Sequence, residues 1–201
     1  MDYIRSIEDL ERHYGPPAPA SLLKVADRIT PAYHAWIMRA RFCILSTVGP
    51  DGVDASPRGD DSAVVRIQNE QTLLLPDWHG NNRIDSLRNI VTDGRASLMF
   101  VVAGAQNVIR VNGRANLTVD ASLLASFERQ GKQPRSVIEL RMSEIYFQCA
   151  RAIMRARLWL DGDQSQDLPS MGDILSELAR GEIDGPAYDR EWPERARTTM
   201  W

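Results

Sequence analysis

Four short segments follow one another in the middle of the chain: SPRGD at 56–60, VVRI at 64–67, TLLLPD at 72–77 and GNNRIDSLRNI at 80–90. The second and third are apolar and are separated by Asn69-Glu70, which predicts two strands, 63–68 and 72–76, joined by a tight turn. The fourth opens with glycine and asparagine, and its apolar residues then recur at helical spacing. It predicts a loop followed by a helix over 83–91.

The loop before this helix is a candidate site for an anion. The first backbone N–H groups of a helix have no partner within it and carry partial positive charge, so a phosphate group binds readily there. Arg83 would add a full charge and a forked set of donors. The alternative is that Asn81 or Asn82 caps the helix while Arg83 is solvated. The residues alone leave both interpretations open.

Two arginines, Arg66 and Arg110, lie inside predicted strands, each between two β-branched apolar residues. Since successive side chains of a strand face opposite ways, each arginine faces away from its apolar neighbours. An arginine in such a position is usually solvated. The alternative is that both line an anionic site together with the loop.

The rest of the chain is predicted to be mainly β, with helices between the strands. Gly113 inside a long strand indicates a bulge or bend, and Thr30 followed by Pro31 predicts the start of a helix. Many strands joined by short turns indicate a barrel or a sandwich rather than a doubly wound sheet. The further strands are predicted at 42–48, 53–56, 96–102, 108–119 and 137–149, and the further helices at 6–14, 31–40, 121–130 and 171–180.

Charge and composition argue against several classes of protein. The chain has 201 residues and a net charge of −3 at pH 7, which argues against broad nucleic-acid binding. No stretch approaches the roughly 18 uninterrupted apolar residues of a membrane span and no secretion signal is visible, so no membrane partner and a cytoplasmic location are expected. The histidines are scattered and no CxxC occurs, so no metal site is expected. Cys43 and Cys149 lie in apolar runs and are expected to be buried.

A change of composition after Trp159 divides the chain in two. Residues 1–160 are predicted to form the main domain with N-terminal helices. Residues 161–201 begin with a polar linker and continue as a charged helical arm that carries aromatic residues. We expect this arm to pack on the barrel, at the rim of the site, or on a partner subunit.

The order and spacing of these segments resemble the FMN-binding proteins related to pyridoxamine 5′-phosphate oxidase. The resemblance runs from about residue 30 to 160 and extends to IRVNGRA at 109–115, EIYFQCA at 144–150 and RARLW at 155–159. It implies a mainly β, α+β fold: a six-stranded antiparallel split β-barrel with peripheral helices. It also implies a homodimer with two FMN sites at the subunit interface.

The resemblance further implies which residues hold the flavin. Arg66 matches a strand arginine beside the phosphate, and Asn82 and Arg83 match a basic pair that grips it, although asparagine in the first position removes one charge. Arg110 is expected to reach the site from the partner subunit, and Trp78 is the tryptophan expected near the cofactor. The other expected contacts lie on the strands that meet the flavin: Ser56, Arg58, Val64, Val65, Pro76 and Asp77.

Two functional hypotheses follow, because hydrolase and nucleotide-loop motifs are absent and the chemistry would belong to a cofactor. The first is an FMN-dependent oxidoreductase acting on a small organic substrate or a reduced nicotinamide. The second is a non-catalytic flavin-binding or sensor module, and a third option is a split barrel carrying haem or a deazaflavin.

His79 is a candidate proton donor or haem ligand; the plainer interpretation is a loop histidine with local hydrogen bonds. The C-terminal substrate signature of the true oxidase is absent, which argues against vitamin B6 oxidation.

Overall fold

The computed structural model describes residues 1–201, and an antiparallel sheet of seven strands forms its centre. The strands are β1 Phe42–Gly49, β2 Gly52–Gly59, β3 Arg66–Asn69, β4 Thr72–Asp77, β5 Arg95–Val101, β6 Val108–Thr118 and β7 Ser136–Gln148. They lie in the order β2-β1-β5-β6-β7-β4-β3. The fold is therefore the mainly β split barrel that the sequence predicts, with seven strands where six were expected.

Alternation along the strands places the core on one face of the curved sheet. Cys43, Leu45 and Thr47 of β1 are buried, and the residues between them are only partly buried. Ile138, Leu140 and other residues of β7 extend the same core. The predicted irregularity at Gly113 is confirmed, because the register between β6 and β7 shifts there. A Cβ at Gly113 would lie 2.1 Å from the carbonyl oxygen of Arg141, so only glycine fits.

The barrel is split between β2 and β4, which share no backbone ladder. In the β1–β2 register Asp54, Ser56 and Arg58 lie opposite buried residues of β1, so they share the inward face. Arg58 reaches across the split and forms an ion pair with Asp77 at the end of β4. Side chains rather than backbone hydrogen bonds therefore join the two edges of the split.

Eight helices surround the sheet. The side chains of Ser6 and Thr30 accept from backbone N–H groups as the N-caps of the first and third helix. Both helices therefore begin where the sequence predicts. The helices are α1 Ile7–His13, α2 Pro19–Leu23, α3 Pro31–Arg39, α4 Asp85–Thr92, α5 Ala121–Ala125, α6 Arg151–Ala156, α7 Met171–Leu178 and α8 Gly185–Thr198. None of them is long and apolar enough to cross a membrane.

Some sequence-based expectations were wrong in detail. The strand predicted at 63–68 begins only at Arg66, because the backbone N–H of Val64 donates to the carbonyl oxygen of Ala40 at 2.9 Å and not to a neighbouring strand. The helix predicted at 121–130 ends at Ala125. Cys149 is exposed rather than buried, since it follows the end of β7. The sequence also gave no prediction for α2 and α6.

The C-terminal arm is held together by a close approach of α7 and α8. Added Cβ atoms at Gly172 and Gly185 would each lie 2.2–2.5 Å from the backbone of the other glycine. Asp189 of α8 accepts from the backbone N–H of Gly172 at 2.9 Å. Substituting either glycine would force the two helices apart.

Candidate functional site

A cleft of about 1330 Å³ lies at the split of the barrel, and we call it the main cleft. Its walls are residues 54–61, from β2 and the loop after it, and residues 75–87, from the end of β4 to the first turn of α4. The other lining residues are Val64, Arg135, Ser136, Trp192, Met200 and Trp201. Typical small-molecule pockets enclose roughly 300–1,000 Å³, so the main cleft has room for a cofactor-sized molecule and a second reactant.

The floor of the main cleft is the ion pair between Arg58 and Asp77. Their side chains are only 20% and 12% exposed. The Nε of Arg58 is buried and has no hydrogen-bond partner. Cys43 lies beside Arg58 in the β1–β2 register. Burial raises the pKa of the Cys43 thiol to about 12, and the positive charge of Arg58 offsets part of that rise.

One side of the main cleft is the loop 78–84, which Arg135 holds in place. The backbone N–H of Arg135 donates to the carbonyl oxygen of Asp77 at 3.0 Å. Its guanidinium donates to Oδ1 of Asn82 and lies 3.0 Å from Nδ1 of His79. A guanidinium can only donate, so Nδ1 accepts and the ring of His79 carries its proton on Nε2. Nε2–H is therefore the group that His79 can offer to a ligand.

Two charged side chains that line the main cleft lack an oppositely charged partner: Asp54, which accepts from the hydroxyl of Ser86, and Arg135. The other lining carboxylates pair with arginines: Asp60 and Asp61 with Arg129, Asp77 with Arg58, and Asp85 with Arg83. Arg135 contacts the neutral side chains of Asn82 and His79 and no carboxylate. The main cleft thus offers an anion an uncompensated positive charge at Arg135.

The start of α4 differs from the second sequence-based interpretation, in which an asparagine caps the helix. Its N-cap is Ile84, in the left-handed region at φ 41°, and no side chain caps the helix. Asn81 accepts from the backbone N–H of Arg83 at 3.0 Å, so the proposed cap by Asn81 or Asn82 was wrong. Arg83 is solvated in part, since its side chain is 82% exposed and pairs with Asp85 at 2.6 Å.

The structure brings most of the predicted site residues together. Those that line the main cleft are Ser56, Arg58, Val64, Pro76, Asp77, Trp78, His79, Asn82 and Arg83. Trp78 lies in the wall with its indole Nε1 buried and unpartnered. A ligand that fills the main cleft would meet donors from both edges of the split.

Three predicted residues lie elsewhere in this subunit. Val65 is a core residue, 3% exposed. Arg66 donates to Oγ and to the carbonyl oxygen of Ser126, at 2.8 Å each, and stacks over the ring of Phe127 at 3.7 Å. Arg110 lies 5.5 Å from the ring of Tyr146, its cross-strand neighbour.

Sequence reasoning missed the arginines that come from outside the central segments. Arg135 reaches the loop because β7 pairs with β4, which sets Ser136 opposite Asp77. Arg129 reaches Asp60 and Asp61 from 69 and 68 residues away. No local pattern marks either residue. For the arm, the only indication in the sequence was a charged segment that carries aromatic residues.

A family model of pyridoxamine 5′-phosphate oxidase matches residues 29–149, more than half of the chain, and the chain belongs to this family. The family typically binds flavin-type cofactors, which supports a cofactor-binding, oxidoreductase-like function in general terms. The match ends before α6, so the arm lies outside it. No curated protein matches the chain.

Three solved structures of similar fold are distant from this chain in sequence. A HupZ variant from Group A Streptococcus is 16% identical, covers 60% of this chain and 99% of its own, and has a TM-score of 0.49. A candidate pyridoxamine 5′-phosphate oxidase from Lactobacillus delbrueckii is 16% identical, covers 60% of this chain and 95% of its own, and has a TM-score of 0.49. An F420 reductase is 15% identical, covers 58% of this chain and 98% of its own, and has a TM-score of 0.44.

Proposed function

We propose that this protein is an FMN-dependent oxidoreductase, and that it works as a homodimer with FMN bound in the main cleft at the subunit interface. The observation that carries the proposal is the uncompensated Arg135 in a cleft whose other arginines are paired with carboxylates. A phosphate monoester is the kind of group that such a guanidinium binds best, through two parallel hydrogen bonds.

The donors of the main cleft fit the two ends of FMN. Arg135, Asn82 and the uncapped first turn of α4 suit the phosphate, and Arg83 lies beside them at the rim. The buried Nε of Arg58 and Nε1 of Trp78 lack acceptors. An orphaned buried donor costs about 1–3 kcal/mol, and the carbonyl oxygens and ring nitrogens of a flavin would satisfy both. These two donors therefore favour the flavin ring at the floor of the cleft.

Bound FMN would supply hydride acceptance and donation, and the protein would supply binding, orientation and a suitable environment. Trp78 covers one side of the proposed ring position. His79 holds a proton at Nε2 because Arg135 engages its Nδ1, so it can donate to a reactant that lies beside the flavin. The size of the main cleft leaves space for a small organic substrate or a reduced nicotinamide.

A homodimer would complete the site. Arg110 faces away from the core and lies beside Tyr146 on the outer face of the sheet, which is where a residue must lie to reach a partner's cleft. We therefore propose that this face meets the partner subunit. A monomeric mass in solution for a protein that still holds FMN tightly would contradict this proposal.

The test of the cofactor is an absorbance spectrum of the purified protein, followed by mass spectrometry of the heat-released ligand. Flavin bands and released FMN would support the proposal. A colourless protein that also fails to take up added FMN would refute it. A haem or deazaflavin spectrum would replace FMN by that cofactor.

The test of turnover is reduction of the bound flavin by NADH or NADPH under anaerobic conditions, followed by reoxidation with oxygen or a quinone. Multiple cycles would show an oxidoreductase. A flavin that binds tightly and is not reduced by any donor would indicate a flavin-binding or sensor module instead.

A further inference from the structure

The C-terminal arm reaches the main cleft although it lies outside the family match. Trp192, Met200 and Trp201 all line the cleft, whereas the match ends at residue 149. Trp201 is therefore part of the wall. Its contacts show how it is held there.

Trp201 packs edge to face against Trp78. The ring centroids are 5.2 Å apart and the planes meet at 78°, which is a favourable arrangement for two aromatic rings. Trp78 directly follows β4 and has a buried, unpartnered Nε1. Trp201 thus covers the residue that we place against the flavin ring.

Arg129 holds Trp201 from the opposite side of the split. Its guanidinium lies 5.2 Å over the Trp201 ring, a cation–π distance. The same guanidinium lies 2.9 Å from Asp60, pairs with Asp61 and donates to Oγ of Ser62 at 2.6 Å. Asp60 has only 3% of its side chain exposed, so this anchor is fixed to the segment after β2.

A second contact ties the end of α8 to the same region. Lys132 donates to the carbonyl oxygen of Thr198 at 2.9 Å, and Lys132 and Arg129 also exchange backbone hydrogen bonds at 2.8 Å. Trp201 therefore contacts the β4 edge through Trp78 and the β2 edge through Arg129. It spans the split at a point where no backbone ladder does.

We propose that Trp201 forms a wall across one end of the main cleft of its own subunit and limits the access of ligands to Trp78. The identity of the ligand rests on the proposed FMN function, whereas the wall itself does not. The wall sets the size of the ring-bearing reactant that fits beside Trp78, and Trp201 must move before a bound ring leaves.

The first experiment measures access to Trp78 without any cofactor. Hydroxyl-radical footprinting of the full-length apoprotein, read by mass spectrometry, would compare native protein with W201A and W192A. Trp192 also lines the cleft, but it stacks on Tyr188 at 6.2 Å, so W192A is the matched control. We expect Trp78 oxidation to rise about threefold or more in W201A, because an aromatic contact and its cation–π anchor are lost together, and less in W192A.

Unchanged oxidation of Trp78 in W201A would overturn the proposal, and so would an equal rise in W192A. Because Trp201 is only partly buried, thermal melting is expected to confirm that W201A folds. As a second variant, Arg129→Gln keeps Trp201 and removes its anchor. It should raise Trp78 oxidation in the same direction.

The second experiment measures the rate at which FMN leaves the holoprotein after dilution into apoflavodoxin as a scavenger. We expect release from W201A to be about fivefold faster or more, and W192A to change the rate less. Unchanged release from W201A would overturn the gating role. If the native protein binds no FMN, the proposed function fails, and the footprinting result alone decides whether the wall exists.

Discussion

The floor and the rim of the main cleft each carry one arginine–aspartate pair, and the two pairs differ in burial. At the floor, Arg58 and Asp77 are 20% and 12% exposed. At the rim, Arg83 and Asp85 are 82% and 44% exposed. The sequence alone does not distinguish Arg58 from Arg83. Both are expected in one site, the first at the end of a strand and the second in a loop. Burial decides that the first is structural as well as ligand-facing, and that the second is free to exchange partners.

The physical reason is desolvation. Removing one partner of a buried pair leaves an uncompensated charge in a medium of low dielectric constant, which is strongly destabilising. Water and salt screen an exposed pair, whose contribution to folding is small. The floor pair should therefore control folding, and the rim pair should affect only the ligand. The following predictions test this contrast.

The largest effect is expected for Asp77→Ala. It leaves the guanidinium of Arg58 without its carboxylate across the split, so we expect the free energy of unfolding to fall by roughly 3 kcal/mol. The measurement is urea denaturation followed by tryptophan fluorescence. Asp85→Ala is the matched control at the rim and should change stability by about 0.5 kcal/mol or less. Equal losses in the two variants would contradict the contrast between floor and rim.

A second variant distinguishes charge from shape at the floor. The double substitution Arg58→Met with Asp77→Leu removes both charges and keeps most of the volume. We expect it to be more stable than Asp77→Ala, because no buried charge is left unpaired. A double variant that is less stable than Asp77→Ala would show that packing, not charge, dominates the floor.

A large effect on ligand binding is expected for Arg135→Gln. Arg135 is exposed and makes no carboxylate pair, so its loss should leave stability nearly unchanged. A hydrogen bond to a charged group is worth about 1.5–3 kcal/mol, so FMN should bind about tenfold more weakly or worse. Fluorescence titration of apoprotein measures this. Arg141→Gln, in β7 and outside the cleft, should leave the affinity as it is.

A smaller effect is expected for Arg83→Ala. The side chain is largely solvated and already pairs with Asp85, so we expect FMN affinity to fall by a few-fold and the fall to shrink as salt is added. The titration is repeated at low and high ionic strength. A loss of FMN affinity larger than that of Arg135→Gln would indicate that the phosphate binds at Arg83 on the rim and not at Arg135. Unchanged FMN retention would remove Arg83 from the site.

The smallest effect concerns the thiols. Cys43 is buried beside Arg58, with a pKa raised to about 12 chiefly by desolvation, whereas Cys149 is exposed. The neutral thiol is the stable form of Cys43 below that pH, and a neutral buried thiol reacts slowly. A thiol reagent at pH 8 should label one of the two cysteines in native protein and both in denaturant. Rapid labelling of Cys43 would show that the floor opens to solvent.

Periodicity predicted most of the fold because it reports local burial. The strands β1, β5, β6 and β7 follow from apolar runs, the N-cap Thr30 from cap chemistry, and the bulge at Gly113 from a glycine inside a strand. Prediction failed at Val64, because its backbone N–H donates to the carbonyl oxygen of Ala40 and not to a strand, a long-range contact that no local pattern records. The resemblance to the family predicted many of the residues that line the main cleft.

Arg66 shows why alternation alone did not assign the site. Its position in a strand predicted that it would face away from the core, and it does, yet it faces Ser126 and Phe127 rather than the main cleft. Arg58, one strand earlier, occupies the floor instead. Which side of a strand faces a cleft depends on its partner strands and not on its own sequence.

The sequence by itself determined the class of fold, the main β elements and the central segments that line the cleft, because these depend on local patterns of polarity and on turn residues. The tertiary structure alone decided which charges remain unpaired. Arg135 and Trp201 reach the cleft, and Arg129 reaches Asp60 in its wall, from segments 45 residues or more beyond the loop 78–84, through the β4–β7 pairing and the docking of the arm. Desolvation and charge pairing act between residues that are close in space, so no local pattern in the chain records them.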